Sequence, residues 1–302
     1  MNKVLITGAD GLIGTRLQQL LKKDGYAVHT IGRAKKDKPE PDQYIWDIAT
    51  QTMDPASLKG VTAIIHLAGA GVADQRWTAA RKKEIYDSRI DSTRLIYKTL
   101  ATIPNQVKTI VSAAAVGYYG DRGADVISET EPPGDSFLAK VVLDWEREVA
   151  QMEKLSVRHI CCRIGVVLAR HGGALPELDR TVPAGIAPYF AKQDLYYPWV
   201  HIDDVCGTMI HALEQEAMHG SYNTTAPEPV QIKALMRAII TARRAHALLV
   251  PVPPLALKVM LGEMSEVVLQ SQRCSDAKLL ASGYQFKYPD LAGALKDIYK
   301  KG

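Results

Sequence analysis

Residues Thr7 to Gly14 read TGADGLIG, and the chain on either side decides what that octet can be. Lys3 to Ile6 is a short apolar run of strand type, while Leu12, Ile13, Leu17, Leu20 and Leu21 recur at helical spacing through Lys23. Glycines spaced by three between a strand and a helix meet three separate needs. Gly8 permits a tight turn, Gly11 lets a pyrophosphate approach the backbone, and Gly14 lets the helix pack closely on the strand. Thr7, Asp10, Leu12 and Ile13 complete the loop, and the first amides of the helix are left facing whatever anion the turn receives.

The rest of the chain extends that unit. Strand patterns at Ala27 to Ile31, Val61 to Leu67, Thr109 to Ser112 and Val157 to Arg163 alternate with helical patterns at Ala79 to Thr102 and Leu138 to Lys154. This alternation predicts an α/β fold, a Rossmann-type doubly wound parallel sheet. After Ile164 glycine, proline and aromatic residues are spread through Gly172 to Trp199, and proline-broken helices follow from Ile232. The expected division is a dinucleotide-binding domain of residues 1–165 and 200–225, and a smaller C-terminal, substrate-side lobe of 166–199 and 226–302. In that division Val200 to Glu214 and Tyr222 to Thr225 return to the sheet.

Composition removes several other functions. The net charge is +4, with basic and acidic residues interspersed, which argues against nucleic acid as a partner. No window of about 18 uncharged apolar residues exists to cross a membrane. Cys161, Cys162, Cys206 and Cys274 show no CxxC spacing and read as reduced core residues rather than metal ligands. The opening MNKVLITGADG runs straight into a strand pattern without signal-peptide regions, so a cytoplasmic protein is expected.

The cofactor is chosen at the end of the second strand, where NAD binders carry an acid for the ribose hydroxyls. Here stand Gly32, Arg33, Ala34, Lys35 and Lys36. A guanidinium can fork onto the 2′-phosphate that only NADP carries, so NADP is expected. The competing reading makes Arg33 and the lysines a solvated loop, with Asp37 as the acid. Asp47 and Ile48, after a short strand at Tyr44 to Trp46, are candidates to bracket the adenine. His66 to Ala70, HLAGA, ends a strand with small residues, including Gly69, as a backbone passing close beneath a cofactor must. His66 itself reads as a core histidine rather than a catalytic one.

TGADGLIG, HLAGA, SAAAVGYYGD (112–121) and WVHIDD (199–204) together resemble the extended short-chain dehydrogenase/reductases of the NAD(P)-dependent epimerase and dehydratase type. RWTAARKKEIYDSRIDSTR (76–94), PPGDSFLAKVVLDWE (132–146), NTTAPEPV (223–230) and QRCSDAKLLASGYQFKYPDLAGAL (272–295) are similar to the YfcH-like atypical subgroup. The resemblance implies that Glu84 and Arg89 reach the nicotinamide side. It further implies that Leu67 and Ala68 line the ribose and adenine side and that Val167 closes the pocket. Spacing alone would instead make Arg89 a surface helix cation paired with Glu84 or Asp87.

The same resemblance exposes a gap. Enzymes of this superfamily use a tyrosine, with a lysine four residues later, and a serine or threonine at the reacting oxygen. A phenol titrates near 10 and needs a cation to act at neutral pH. The matching segment has Phe137 and Val141; sliding the frame gives Ser136 and Lys140 but no phenol, and Ala114 stands at the serine position with Ser112 nearby. Tyr118 and Tyr119 are the remaining candidate phenols, read as a loop, with Arg122 four residues after Tyr118. Two functions stay open: an oxidoreductase or epimerase-like enzyme on an unknown small molecule, held near Tyr118, Tyr119, Asp135, Phe137, Tyr196, Tyr197, Trp199 and His201, or a non-catalytic NADP(H) sensor read by a partner. Neither substrate nor oligomeric state follows from these residues.

Overall fold

The computed structural model describes residues 2–33 and 41–300. Lys35, with Ala34, Lys36 and Asp37, lies outside them, so the described part of the second-strand loop ends at Arg33.

Strand β1 (Lys3–Thr7) leads through the glycine turn into α1 (Leu12–Lys23), then β2 (Ala27–Gly32), β3 (Gln43–Asp47), β4 (Thr52–Met53) and β5 (Ala63–His66). There follow α2 (Ala79–Thr102), β6 (Thr109–Ala115), α3 (Phe137–Ala150), β7 (Arg158–Ile164), α4 (Ile202–Glu214) and β8 (Gly220–Thr224). These eight strands form one sheet in the order β8-β7-β6-β5-β1-β2-β3-β4. All neighbours are parallel except the short β4, which runs antiparallel to β3. The winding reverses direction between β1 and β5, so a crevice opens beyond their carboxyl ends, where ligands of such sheets bind.

Both faces of the sheet are covered, which is why its strands read as nearly continuous apolar runs. Alternation along each strand sorts the residues between the two sides. Leu5, Ile64 and Ile110 face a core completed by Ile90 and Leu95 of α2 and by Val142 and Trp145 of α3. Val4, Ile6, Ile65 and Val111 face the other, completed by Leu17 and Leu21 of α1 and by Val205 and Met209 of α4. Cys161 and Cys162 fall on opposite faces for the same reason, and burial pushes the Cys162 thiol up to about 12. All four cysteines are free and buried.

Of the two segments expected to return to the sheet, Gly220–Thr224 does so, beside β7. Trp199–His201 instead pairs with Val166–Leu168 in a separate ladder, and the rest of Val200 to Glu214 is α4. Its Val205, Met209 and Ala212 are buried at the i, i+4, i+7 spacing of a helix lying on the sheet.

A third core gathers around Leu175, Tyr197, Trp199, Leu235, Met236 and Leu295. Tyr197, Trp199 and His201, expected near a substrate, are buried here. The Trp199 indole donates to the Glu228 carbonyl and the Tyr197 hydroxyl to that of Val268. The chain then crosses back to the sheet. Leu279 and Tyr284 pack under α4, and the buried Asp204 carboxylate accepts from Tyr284 Oη (2.9 Å) and from the amides of Lys287 (2.7 Å) and Tyr288 (3.0 Å).

Candidate functional site

The carboxyl ends of β1 and β5 are locked together by one hydroxyl. Thr7 Oγ1 accepts from the amides of Leu67 and Ala68, both at 3.1 Å, and lies 2.8 Å from His66 Nδ1. With two amides donating to it, the hydroxyl proton goes to His66 Nδ1, which must therefore be the bare nitrogen of a neutral ring. His66 Nε2 then donates to Thr93 Oγ1 (3.1 Å), whose own proton goes to the Arg89 carbonyl (2.7 Å). Burial, with the Arg89 charge adding to it, drops the His66 pKa to about 3. His66 is thus the core histidine that its sequence context suggests, and it sets the backbone of HLAGA rather than exchanging protons.

Against that fixed backbone the glycine turn has no room to spare. Gly8 has φ +66°, and a β-carbon there would lie 2.8 Å from the Leu67 carbonyl carbon and oxygen. A β-carbon at Gly14 would sit 2.5 Å from the Gly8 oxygen, the atom that accepts the Gly11 amide. The α1 N-cap is Gly11, with no side-chain cap and no acidic residue in the first turn. A helix start without a side-chain cap, facing a cleft, suits an anion.

The cleft over this turn has a volume of about 680 Å³, within the roughly 300–1,000 Å³ of small-molecule and cofactor sites. Of the residues expected from sequence, Gly8, Asp10, Gly11, Gly32, Arg33, Ile48, Leu67, Ala68, Gly69 and Glu84 line it. Arg33 is exposed at its rim. The other expected residues stand behind or away from that lining. Thr7 and Gly14 act from behind, as described. Leu12 and Ile13 pack into the core of the α1 face, and Leu12 meets Gly172 and Gly173. Val167 belongs to the Val166–Leu168 ladder.

Asp47 lies between two lining residues, Trp46 and Ile48. Its carboxylate accepts from the amides of Ala49 (2.8 Å) and Thr50 (3.3 Å), capping its own turn, and it does not line the cleft. The Thr50 amide and hydroxyl, then the Ala49 amide, hold its carboxyl below the usual range. Arg89 is not the surface cation that spacing alone would make it. Its guanidinium donates to the Ala70 (3.0 Å) and Ile85 (2.9 Å) carbonyls, lies over Trp145 and sits where a Gly69 side chain would go. Burial, then repulsion from Arg81, lowers its pKa to about 10. Glu84 pairs with Arg81 at 2.6 Å and Asp87 with Lys83.

Arg81, Ser88, Asp74, Gln43 and Tyr44 also line the cleft and were not expected. For two of them a signal exists, because Arg81, Glu84 and Ser88 are three and four residues apart and share one helix face. Ser88 accepts from the Ala70 amide at 3.0 Å, so α2 supports the HLAGA backbone from its other side.

The proton-transfer position is filled with carbon. Ser136 caps α3 by accepting from the Ala139 amide, Phe137 packs edge-on against Trp77 at 5.1 Å, and Val141 is 1% exposed. Ser112 is buried and turns its hydroxyl to the neighbouring Ala113 carbonyl. Tyr118 and Tyr119, read as a loop, are instead buried and do not line the cleft. The cause is Arg163. Glu146 holds it by two contacts of 2.7 Å, its guanidinium lies 3.5 Å over the Tyr118 ring, and it donates to Tyr119 Oη at 2.8 Å. Tyr119 passes its own proton to Asn223 Oδ1 at 2.7 Å, and burial pushes its pKa well above the ordinary value. Arg122 gives its donors to the carbonyls of Tyr119 and Pro132. The Tyr119 hydroxyl is therefore committed within the core, while Tyr118 is held through its ring.

Comparison with known proteins adds a family context. Residues 4–224 match the NAD dependent epimerase/dehydratase family, and residues 252–298 match a domain of unknown function, DUF1731. Epimerase family protein SDR39U1 of Bos taurus is 33% identical over 301 residues, 98% of this chain and 99% of that protein. Its chloroplastic homologue from Arabidopsis thaliana is 34% identical, covering 98% of this chain and 86% of that one. The crystal structure of human epimerase family protein SDR39U1 (isoform2) with NADPH matches with a TM-score of 0.88 at 30% identity, covering 98% of both chains. UDP-N-acetylglucosamine 4-epimerase from Bacillus cereus shares the fold, with a TM-score of 0.78 at 19% identity over 99% of this chain and 98% of that one.

Proposed function

The chain belongs to the NAD dependent epimerase/dehydratase family, and from that premise we propose that it binds NADP(H) in the cleft at β1 and β5 and serves as an oxidoreductase of epimerase type. Its substrate is a small molecule, and its chemistry runs without the usual tyrosine and lysine. The observation that carries this reading is the turn at Gly8, where a β-carbon would strike the Leu67 carbonyl, together with a cation, Arg33, at the rim where an NAD-selective site would place an acid. The NADPH in the human relative's crystal structure supports the same choice.

In this reading the Gly8–Gly11 backbone and the start of α1 receive the pyrophosphate, and Arg33 meets the 2′-phosphate. Ile48, Leu67 and Ala68 supply the apolar walls, while Arg89 and Glu84 hold the far side of the cleft. NADP(H), when bound, supplies hydride exchange with a carbon bearing oxygen. The accompanying proton travels by another route than the usual pair, by solvent, by the substrate's own groups or by a carboxyl of the cleft such as Glu84, because Phe137 and Val141 offer none and Tyr119 is committed to Asn223. Four free, buried thiols favour a reducing compartment such as the cytoplasm.

A second reading rests on the packing of Phe137 against Trp77, which fills the proton-transfer position. In it the protein is a sensor whose bound dinucleotide is read by a partner. Protein-bound NADPH fluorescence, followed during addition of carbonyl compounds and nucleotide sugars, separates the two. Steady loss of signal is the expected result for net reduction, and an epimerised product seen by proton NMR for a cofactor that is recycled; tight NADPH binding with neither across the panel would replace the enzyme with the sensor.

A further inference from the structure

The cofactor cleft occupies the carboxyl ends of the strands. At their amino ends a different cluster forms from three distant pieces of chain: Glu153 in the single 3-10 turn after α3, His159 as the second residue of β7, and His219 immediately before β8. Glu153 Oε1 lies 3.1 Å from His159 Nδ1 and 2.5 Å from His219 Nε2, and the three potential donor atoms fall within 4.8 Å of one another. The two imidazoles meet edge to face, with centroids 4.7 Å apart.

These distances are close to what a shared ion requires. Ligand atoms bound tetrahedrally at about 2.0–2.1 Å stand roughly 3.3 Å from each other. The side chains of Glu153 and His219 are 51% and 58% exposed and can rotate to close the triangle, whereas His159, 10% exposed on its strand, is the fixed corner. A second observation points to a missing ligand. His159 Nδ1 is buried and has only the Glu153 carboxylate beside it, 3.1 Å away and off the line of a good hydrogen bond. Buried polar atoms left in that state usually have an unseen partner.

We propose that Glu153, His159 and His219 form a site for a divalent transition metal of the zinc class, held by two imidazoles and one carboxylate with a water in the fourth position. Two nitrogens and one oxygen suit borderline ions such as Zn²⁺ and disfavour Mg²⁺, which takes near-octahedral oxygen sets. The ion ties β8, the edge strand, to β7 and to the end of α3. None of the three residues lines the cofactor cleft, so this site is independent of the proposed activity.

The test uses the untagged full chain, stripped with chelator and titrated calorimetrically with ZnCl₂ and separately with MgCl₂. The four cysteines are buried and do not compete for the ion. One Zn²⁺ per chain is expected, with a thermal midpoint that climbs with Zn²⁺ concentration by mass action and no response to Mg²⁺. His219→Ala and Glu153→Gln, both at exposed positions, should each weaken Zn²⁺ binding by about tenfold or more and leave NADPH affinity unchanged. Absence of Zn²⁺ binding, equal responses to the two ions, or undiminished affinity in His219→Ala would each overturn the assignment.

Discussion

Replacing Thr7 by valine keeps the shape of the side chain and removes the hydroxyl that joins β1 to β5. Three groups use that oxygen: the amides of Leu67 and Ala68 and the ring nitrogen Nδ1 of His66. The Leu67 amide keeps an alternative, the Thr7 carbonyl at 3.3 Å. The Ala68 amide and His66 Nδ1 lose the partner described here. A buried donor or acceptor left unpaired costs about 1–3 kcal/mol; His66 Nδ1 is in that position, whereas the half-buried Ala68 amide faces the cleft and can turn to water, so Thr7→Val should destabilise the fold by about 1–3 kcal/mol. Thr7→Ser keeps every hydrogen bond and loses one methyl, about 1 kcal/mol. Urea unfolding of the two variants beside the parent measures the difference directly. Nitrogen chemical shifts of His66 give a second check, since the clamp requires a neutral ring with its proton on Nε2. A valine variant as stable as the serine variant, or a proton on His66 Nδ1, would refute the clamp.

Phe137→Tyr combined with Val141→Lys restores the residue types of the missing pair but not their environment. Val141 is 1% exposed, so a lysine there faces a burial penalty of about 3–5 kcal/mol; the double variant should unfold at lower urea and show no new NADPH oxidation with a carbonyl panel, whereas parent-like stability with turnover would contradict the packing argument. Asp203 is 8% exposed; its burial alone would raise its pKa, but Arg16 at 2.6 Å and Lys287 at 2.8 Å outweigh that and hold it at about 2. Its folded pKa is depressed, so its contribution, about 2 kcal/mol, is complete above the ordinary carboxyl range and disappears as pH falls from about 4 through 2. The stability gap between the parent and Asp203→Asn should therefore narrow over that window in acid urea titrations, and a gap independent of pH would exclude the ion pairs as its source.

The parts of the site readable from sequence are those in which the backbone makes the demand. TGADGLIG is legible because Gly8 and Gly14 leave no space for a β-carbon, a constraint that shows in residue type. HLAGA is legible as small residues ending a strand, and its Gly69 leaves the place that the Arg89 guanidinium takes. Misreadings arise where a partner distant in sequence decides. Tyr118 and Tyr119 sit in a short segment of loop type, yet Arg163, 44 residues beyond Tyr119, buries both. Trp199 and His201 carry functional residue types but are buried, Trp199 in the third core and His201 against the Tyr288 ring. Asp47 is different, because it has a local role as well: a carboxylate two and three residues before free amides is an Asx-turn signal, and here its Oδ1 closes that turn. Arg81 and Ser88 show the converse: they share one helix face with Glu84 and line the cleft, but charged and polar residues on the other sides of α2 mask that spacing.

The most direct test is calorimetry on cofactor-stripped protein with NADPH and with NADH, repeated on Arg33→Ala. The charge-assisted contact between an exposed guanidinium and a phosphate should be worth about 1.4 kcal/mol, so NADPH should bind about tenfold tighter than NADH in the parent, and the variant should bring the two together. Equal affinities in the parent protein, or no heat from either dinucleotide, would contradict the account.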